Sequence, residues 1–141
     1  MRLFLLYGIF ISISFVNRAQ VHVQDTDDLI KTSIYFGGGS YYIDHDQIDN
    51  LAVFIDSVQN LEHYEIVIFS HTDNIGGREY NEWLSNMRSN AVKSELLRLN
   101  IPEAQLKIRD FGMENPLYTN YTSSGRRANR RVDVILVPIT F

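Results

Sequence analysis

Apolar and polar positions change their period several times along the 141 residues. Residues 32–37 are rich in β-branched and aromatic side chains and run into Gly37-Gly38-Gly39, which predicts a strand followed by a breaker. Over residues 44–59, Ile48, Leu51, Ala52, Ile55 and Val58 recur at the spacing of an amphipathic helix. Asp44 and Asp46 stand where a helix start favours negative charge. Residues 64–70 contain Ile66, Val67, Ile68 and Phe69 in succession, the pattern of a central strand buried on both faces. A turn over residues 73–77 leads to a second predicted helix, 78–100. Its apolar stripe is Tyr80, Leu84, Met87 and Ala91, continued by Leu96 and Leu99, and Asn100 and Pro102 end it. Residues 106–111 predict a third strand closed by Gly112, and residues 114–124 a polar loop. A helical turn over 125–131 and a fourth, largely apolar strand over 131–139 complete the chain. The order is βαβα followed by two strands. Two main helices on one mixed four-stranded sheet, a two-layer α/β (α+β) sandwich, satisfy that order and bury both kinds of apolar face.

The first residues follow a different rule. Met1-Arg2 supplies one positive charge, Leu3 to Val16 is uncharged, and Arg18-Ala19-Gln20 follows. This is the layout of a secretory signal with a small-residue cleavage site. The run is shorter than the ~20 residues a membrane-spanning helix needs. An uncleaved anchor is the alternative. The expected division is a signal over residues 1–19, a linker over 20–31 and one domain over 32–141. Cleavage removes Arg2 and Arg18 and takes the formal charge from -4 to -6, leaving an acidic, exported protein. A composition of 45% hydrophobic and 21% charged residues supplies one core, and two domains would each be marginal in size. The absence of cysteine excludes disulfides, thiolate metal sites, a Cys nucleophile and a lipid attached through Cys.

Candidate chemistry concentrates between His71 and Arg88. Asp73 precedes the second helix and Arg88 lies within it. A carboxylate and a guanidinium on one loop-plus-helix unit can clamp a small zwitterion, or simply pair with each other. Asn81 and Arg88 are seven residues apart and project from the same helix face. An Arg there can grip a carboxylate through two N–H groups, and Asp73 lies near free backbone N–H groups that favour its charge. The cluster Arg126, Arg127, Arg130 and Arg131 would suit nucleic acid, but an acidic mature chain behind a secretory signal argues against that partner. Arg126 and Arg130 share a helical face and are expected to pair with carboxylates, with a contribution to an anionic ligand as the alternative; Arg131 is expected to be structural. His45, His63, His71 and Asp73 lack the helix-borne histidine pair of zinc proteases, so no metal is expected. Ser85, His71 and Asp73 have the residue types of a hydrolytic triad, yet Ser85 lies inside a helix with no nucleophile elbow, so neither catalysis nor a cofactor is expected. Trp83 and the tyrosines read as core or as a sugar-facing surface.

Four motifs lie in register. They are His71-Thr72-Asp73-x-x-Gly76; Tyr80-Asn81-x-x-Leu84-Ser85-x-x-Arg88; Phe111-Gly112-x-Glu114-x-Pro116; and Asn120-x-x-x-x-Gly125-Arg126-x-x-Asn129-Arg130-Arg131-Val132. Together they resemble the signature of the OmpA-like domain, found in outer-membrane porins, peptidoglycan-associated lipoproteins and flagellar stator proteins. The resemblance implies noncovalent binding of peptidoglycan, with an Asp toward the ammonium of diaminopimelate in the stem peptide and an Arg toward its carboxylate. Carried onto this chain, those residues are Asp73 and Arg88, with Asn81, Thr72, Leu84 and Arg130 as further ligand-binding positions. Envelope proteins are the other implied partners. A scaffold that docks a protein instead of peptidoglycan is the alternative function, and a cell-wall hydrolase the more distant one. The chain departs from the pattern at Ser70, where Gly is usual, at Gly37-Gly38-Gly39, where polar or acidic residues are common, and at Ser89, where Ala follows the Arg. The first two bear on one wall of the implied pocket.

Overall fold

The structure is a computed structural model that describes residues 29–110 and 112–140. The expected signal and most of the expected linker lie outside the described residues. The elements are β1 (Ile30–Tyr35), α1 (His45–Ser57), β2 (Tyr64–Ser70), α2 (Arg78–Arg98), β3 (Leu106–Asp110), α3 (Ser123–Asn129) and β4 (Arg131–Pro138). Short 3-10 turns at Leu61–His63 and Glu103–Gln105 lead into β2 and β3.

The sheet order is β1-β4-β2-β3. β4 runs antiparallel to both β1 and β2, and β2 runs parallel to β3 through the α2 crossover. Alternation along the strands sends Ile34, Ile66, Ile68, Val132, Val134 and Leu136 to one face, where they are almost wholly buried. Leu51 and Ile55 of α1 and Val92 and Leu96 of α2 close over that face in a single core. The fold is the expected two-layer α+β arrangement. β2 is central, and Val67 on its other face is buried as well.

Helix starts are set locally. The Asp44 carboxylate accepts the Gln47 amide N–H at 3.0 Å and caps α1. The Gln47 side chain also exchanges two hydrogen bonds with the Tyr35 backbone, so the end of β1 and the start of α1 are tied together. Thr122 caps α3 in the same way, accepting from Gly125. Gly125 itself is required by close approach, because a Cβ there would lie 1.8 Å from the Thr119 carbonyl oxygen.

The buried stripe of α2 differs from the expected one. Its inward residues are Asn81, Leu84, Ser85, Arg88, Ser89, Val92 and Leu96, while Tyr80 is exposed and Met87 and Ala91 are half-buried. Leu84 and Leu96 are buried as the apolar spacing predicts, but the other inward residues of the first three turns are polar, so that spacing misses them. Each of these polar side chains donates to a specific partner. Ser85 Oγ donates to the Glu82 carbonyl, Ser89 Oγ to Asp110, and Asn81 Nδ2 to the carbonyls of Ile75 and Gly77. Burial of so many polar groups is tolerable only with such partners.

Candidate ligand-binding site

The carboxyl end of β2 delivers His71, Thr72 and Asp73 to the edge of the helical layer. Backbone bonds fix the exit, with the His71 N–H donating to the Arg131 carbonyl and the Thr72 N–H to the Gly112 carbonyl. Thr72 is buried, and its hydroxyl donates to the Asp73 carbonyl. Asp73 Oδ1 then accepts the Ile75 N–H at 3.1 Å, turning the chain toward Gly76 and Gly77. Gly76 has φ +93°, and a Cβ there would lie 2.8 Å from Tyr80 Cδ1, so this turn needs glycine on both counts. Asn81 braces the same turn from inside α2.

The structure answers which partner Asp73 takes. Its Oδ2 lies 3.1 Å from Arg130 Nη1, and both side chains are largely buried. Arg130 also donates Nε to the Phe36 carbonyl, while the Phe36 N–H donates to the Arg130 carbonyl. Arg130 thus meets the carboxylate its position led one to expect. Arg126 does not, since its guanidinium donates to the Asn120 carbonyl. Arg131 holds Asp133 through Nε and stacks over Tyr118, as a structural residue would.

Arg88 is fully buried. Nε donates to the Ser40 carbonyl at 2.9 Å, Nη2 to the Gly37 carbonyl at 3.0 Å and Nη1 to the His71 carbonyl at 3.2 Å. The Phe36 ring lies 5.0 Å from its guanidinium carbon. Burial lowers its pKa to about 10, with Asp73 acting in the opposite sense and Arg130 in the same one. It remains a cation at neutral pH. The residues between β1 and α1 therefore form a strap across Arg88, with Gly37 and Ser40 supplying carbonyls to the charge beneath. Those acceptors are backbone atoms, which carry no residue-type signal in the sequence.

Between the strap and the start of α2 lies a cavity of about 270 Å³ lined by Gly38, Gly39, Asp73, Ile75, Gly76, Tyr80, Leu84 and Arg130. Asp73, Leu84 and Arg130 are thus brought to one cavity wall. Arg88 lies behind the strap, and Thr72 and Asn81 shape the turn from inside. Ile75 and Tyr80 were not singled out as ligand-binding residues, although both sit inside the motifs that mark the segment. On the far side of Arg130 a larger depression of about 650 Å³ is lined by Tyr35, Asp44, Gln47 and Arg127 among others. Asp44 and Gln47 are already bonded to each other there.

His71 Nε2 is 3.7 Å from Asp133, and burial, together with Arg131, lowers the His71 pKa to about 4, partly opposed by Asp133. His71 therefore faces Asp133, while Ser85 is buried and bonded within its own helix, so the three residues of the hypothetical triad serve other contacts. Among the described residues, no group of three or more His, Asp or Glu stands where it could hold a metal ion.

A carboxylate and guanidinium thus stand at the mouth of a small cavity, beside a turn-to-helix junction on an α+β two-layer scaffold. The family profile of OmpA matches residues 35–130, and the chain belongs to the OmpA family. It is 28% identical over 107 residues to the outer-membrane lipoprotein YfiB of Pseudomonas aeruginosa, covering 76% of this chain and 64% of that protein. It is 36% identical over 69 residues to the peptidoglycan-associated lipoprotein of the same organism, covering 49% of this chain and 41% of that one. The chain spans less than two thirds of the length of these curated relatives. The crystal structure of the peptidoglycan-associated lipoprotein from Burkholderia pseudomallei superimposes with a TM-score of 0.69 at 28% identity, covering 74% of this chain and 89% of that one.

Proposed function

We propose that this domain binds peptidoglycan noncovalently in the bacterial cell envelope, by gripping the diaminopimelate of the stem peptide, and that it catalyses no reaction. The observation that carries this reading is the pairing of the Asp73 carboxylate with the Arg130 guanidinium on one cavity wall, with the buried Arg88 guanidinium behind the adjoining strap. Its family membership and the names of its peptidoglycan-associated relatives support it. An exported protein, held at the cell wall or outer membrane on its periplasmic side, is the location that fits such a ligand.

In this reading Asp73 takes the ligand ammonium, on the cavity side of its pair with Arg130. Arg88 takes the carboxylate. To do so it exchanges the neutral carbonyls of Gly37 and Ser40 for a charged acceptor, which forms the stronger hydrogen bond. The three glycines of the strap allow that exchange with little backbone resistance. Arg130 keeps the second wall of the cavity positive, and Leu84 packs against the aliphatic part of the ligand. Asn81 and Thr72 hold the turn that presents Asp73.

The test is co-sedimentation of the folded protein with purified sacculi. Wild type is expected in the pellet, and Asp73→Ala and Arg88→Ala in the supernatant, with circular dichroism confirming that each remains folded. Sedimentation of all three alike would overturn the clamp. A wild type that stays in the supernatant while a defined envelope protein co-purifies would favour the docking scaffold instead, and release of soluble muropeptides would favour the hydrolase.

A further inference from the structure

Three aromatic side chains stand half-exposed in one cluster, of which Tyr80 also lines the Asp73 cavity. Tyr80 and Trp83 project from the first two turns of α2, and Tyr41 comes from the strap that leads into α1. Their relative exposures are 44%, 49% and 43%, which leaves large ring surfaces in water. Trp83 is in contact with both tyrosines. Its ring lies 6.1 Å from that of Tyr41 at an interplanar angle of 89°, and 5.8 Å from that of Tyr80 at 34°. Aromatic rings held against one another in this way are fixed before any ligand arrives, so little side-chain entropy remains to be lost on binding.

This group is continuous with the cavity, because Tyr80 belongs to both. We infer that the Tyr41–Trp83–Tyr80 cluster is a glycan subsite that stacks an N-acetylhexosamine of the strand carrying the bound stem peptide. The inference rests on the peptidoglycan reading of the cavity. Covalent geometry gives its reach. Diaminopimelate is the third residue of the stem, and three extended residues span about 10 Å. The sugar that bears a peptide held at Asp73 therefore has to lie close to the cavity mouth, where the aromatic cluster begins. The chemistry is complementary too. A pyranose presents one face of C–H groups with partial positive charge, which seats on the negative π-face of an aromatic ring. Its hydroxyl and acetamido groups meet the polar side chains that flank Trp83 on α2, Glu79, Glu82 and Asn86, all of them exposed.

Trp83 is the only tryptophan in the chain, so its emission reports on this site alone. The experiment compares two soluble probes on the full protein, the stem tripeptide ending in diaminopimelate and the same tripeptide attached to N-acetylglucosaminyl-N-acetylmuramic acid. The disaccharide form is expected to bind about fivefold or more tighter by calorimetry, equivalent to roughly 1 kcal/mol, and to change Trp83 emission more than the tripeptide does. Trp83→Ala and Tyr41→Ala are expected to lower the affinity of the disaccharide form to that of the tripeptide and to leave the tripeptide unaffected, while Trp83→Phe keeps part of the gain. Equal binding of the two probes to wild type would overturn the glycan subsite and leave the peptide site standing. Failure of both probes to bind would overturn the two together.

Discussion

Asp73 and Arg130, 57 residues apart in the chain, meet at 3.1 Å across the mouth of the candidate cavity. Because Arg130 also donates to the Phe36 carbonyl, the pair joins the loop after β2, the end of β1 and the start of β4. A double-mutant cycle measures this coupling. Asp73→Asn and Arg130→Gln are each expected to destabilise the protein by about 1–3 kcal/mol, and the double variant by about 1 kcal/mol less than their sum. Strict additivity in urea unfolding would show that the pair is incidental.

Arg88 is expected to be the most costly polar residue of α2 to replace. Arg88→Met leaves the carbonyls of Gly37, Ser40 and His71 without their donor and should destabilise by about 3 kcal/mol or more. Arg88→Lys keeps the charge but not the planar fork that reaches all three acceptors, and should fall between the two. A Met variant as stable as wild type would contradict the strap geometry.

His71 should make stability depend on pH below neutrality. Its pKa is held at about 4 in the folded protein, against 6.5 for an unperturbed histidine. The unfolded chain therefore binds a proton that the folded protein refuses in that interval. The His71 contribution is complete above pH 6.5 and is lost progressively as the pH falls from there to 4. Denaturant melts of wild type and His71→Asn at pH 7 and pH 4.5 isolate it, since the backbone bonds of residue 71 survive the exchange. Wild type should lose more stability than the variant over that interval, and equal losses would refute the assignment.

Two glycines should respond in opposite ways to alanine. Gly125→Ala drives a methyl group into the Thr119 carbonyl and should cost about 3 kcal/mol or more, since the loop must move away. Around Gly38 no atom lies within 4 Å of the added Cβ, so Gly38→Ala should be neutral or stabilise by up to about 1 kcal/mol by restricting the unfolded chain. Thermal melts of both variants decide this. Sedimentation of Gly38→Ala with sacculi separately reports whether the strap needs its full freedom for ligand.

Where the pattern of side chains reflects burial in one layer, the fold was readable in advance. The run Ile66 to Phe69 marked the central strand, and the Ile48-to-Val58 periodicity marked α1. The inward face of α2 was only partly readable from apolarity: Leu84 and Leu96 were, whereas Arg88 and Ser89 are buried for the sake of distant acceptors. The acceptors of Arg88, Gly37 and Ser40 carbonyls among them, are 51 and 48 residues away and belong to the backbone, so composition cannot reveal them. The motif from Asn120 to Val132 marked Arg130 as a candidate position, but the choice between Arg88 and Arg130 as the ion-pair partner of Asp73 required the three-dimensional arrangement.

The position of β4 governs when the site can exist. The last of the described strands lies between β1 and β2, and Ser33 bonds Asp133 across 100 residues of sequence. Until β4 has been synthesised, β1 has no neighbour in the sheet and Asp73 has no Arg130. Contacts closed over such long loops form late and slowly. A partly made or partly folded chain therefore carries the acid of the candidate clamp without its framing base, and the capacity to hold ligand should arrive in one step with the closing strand.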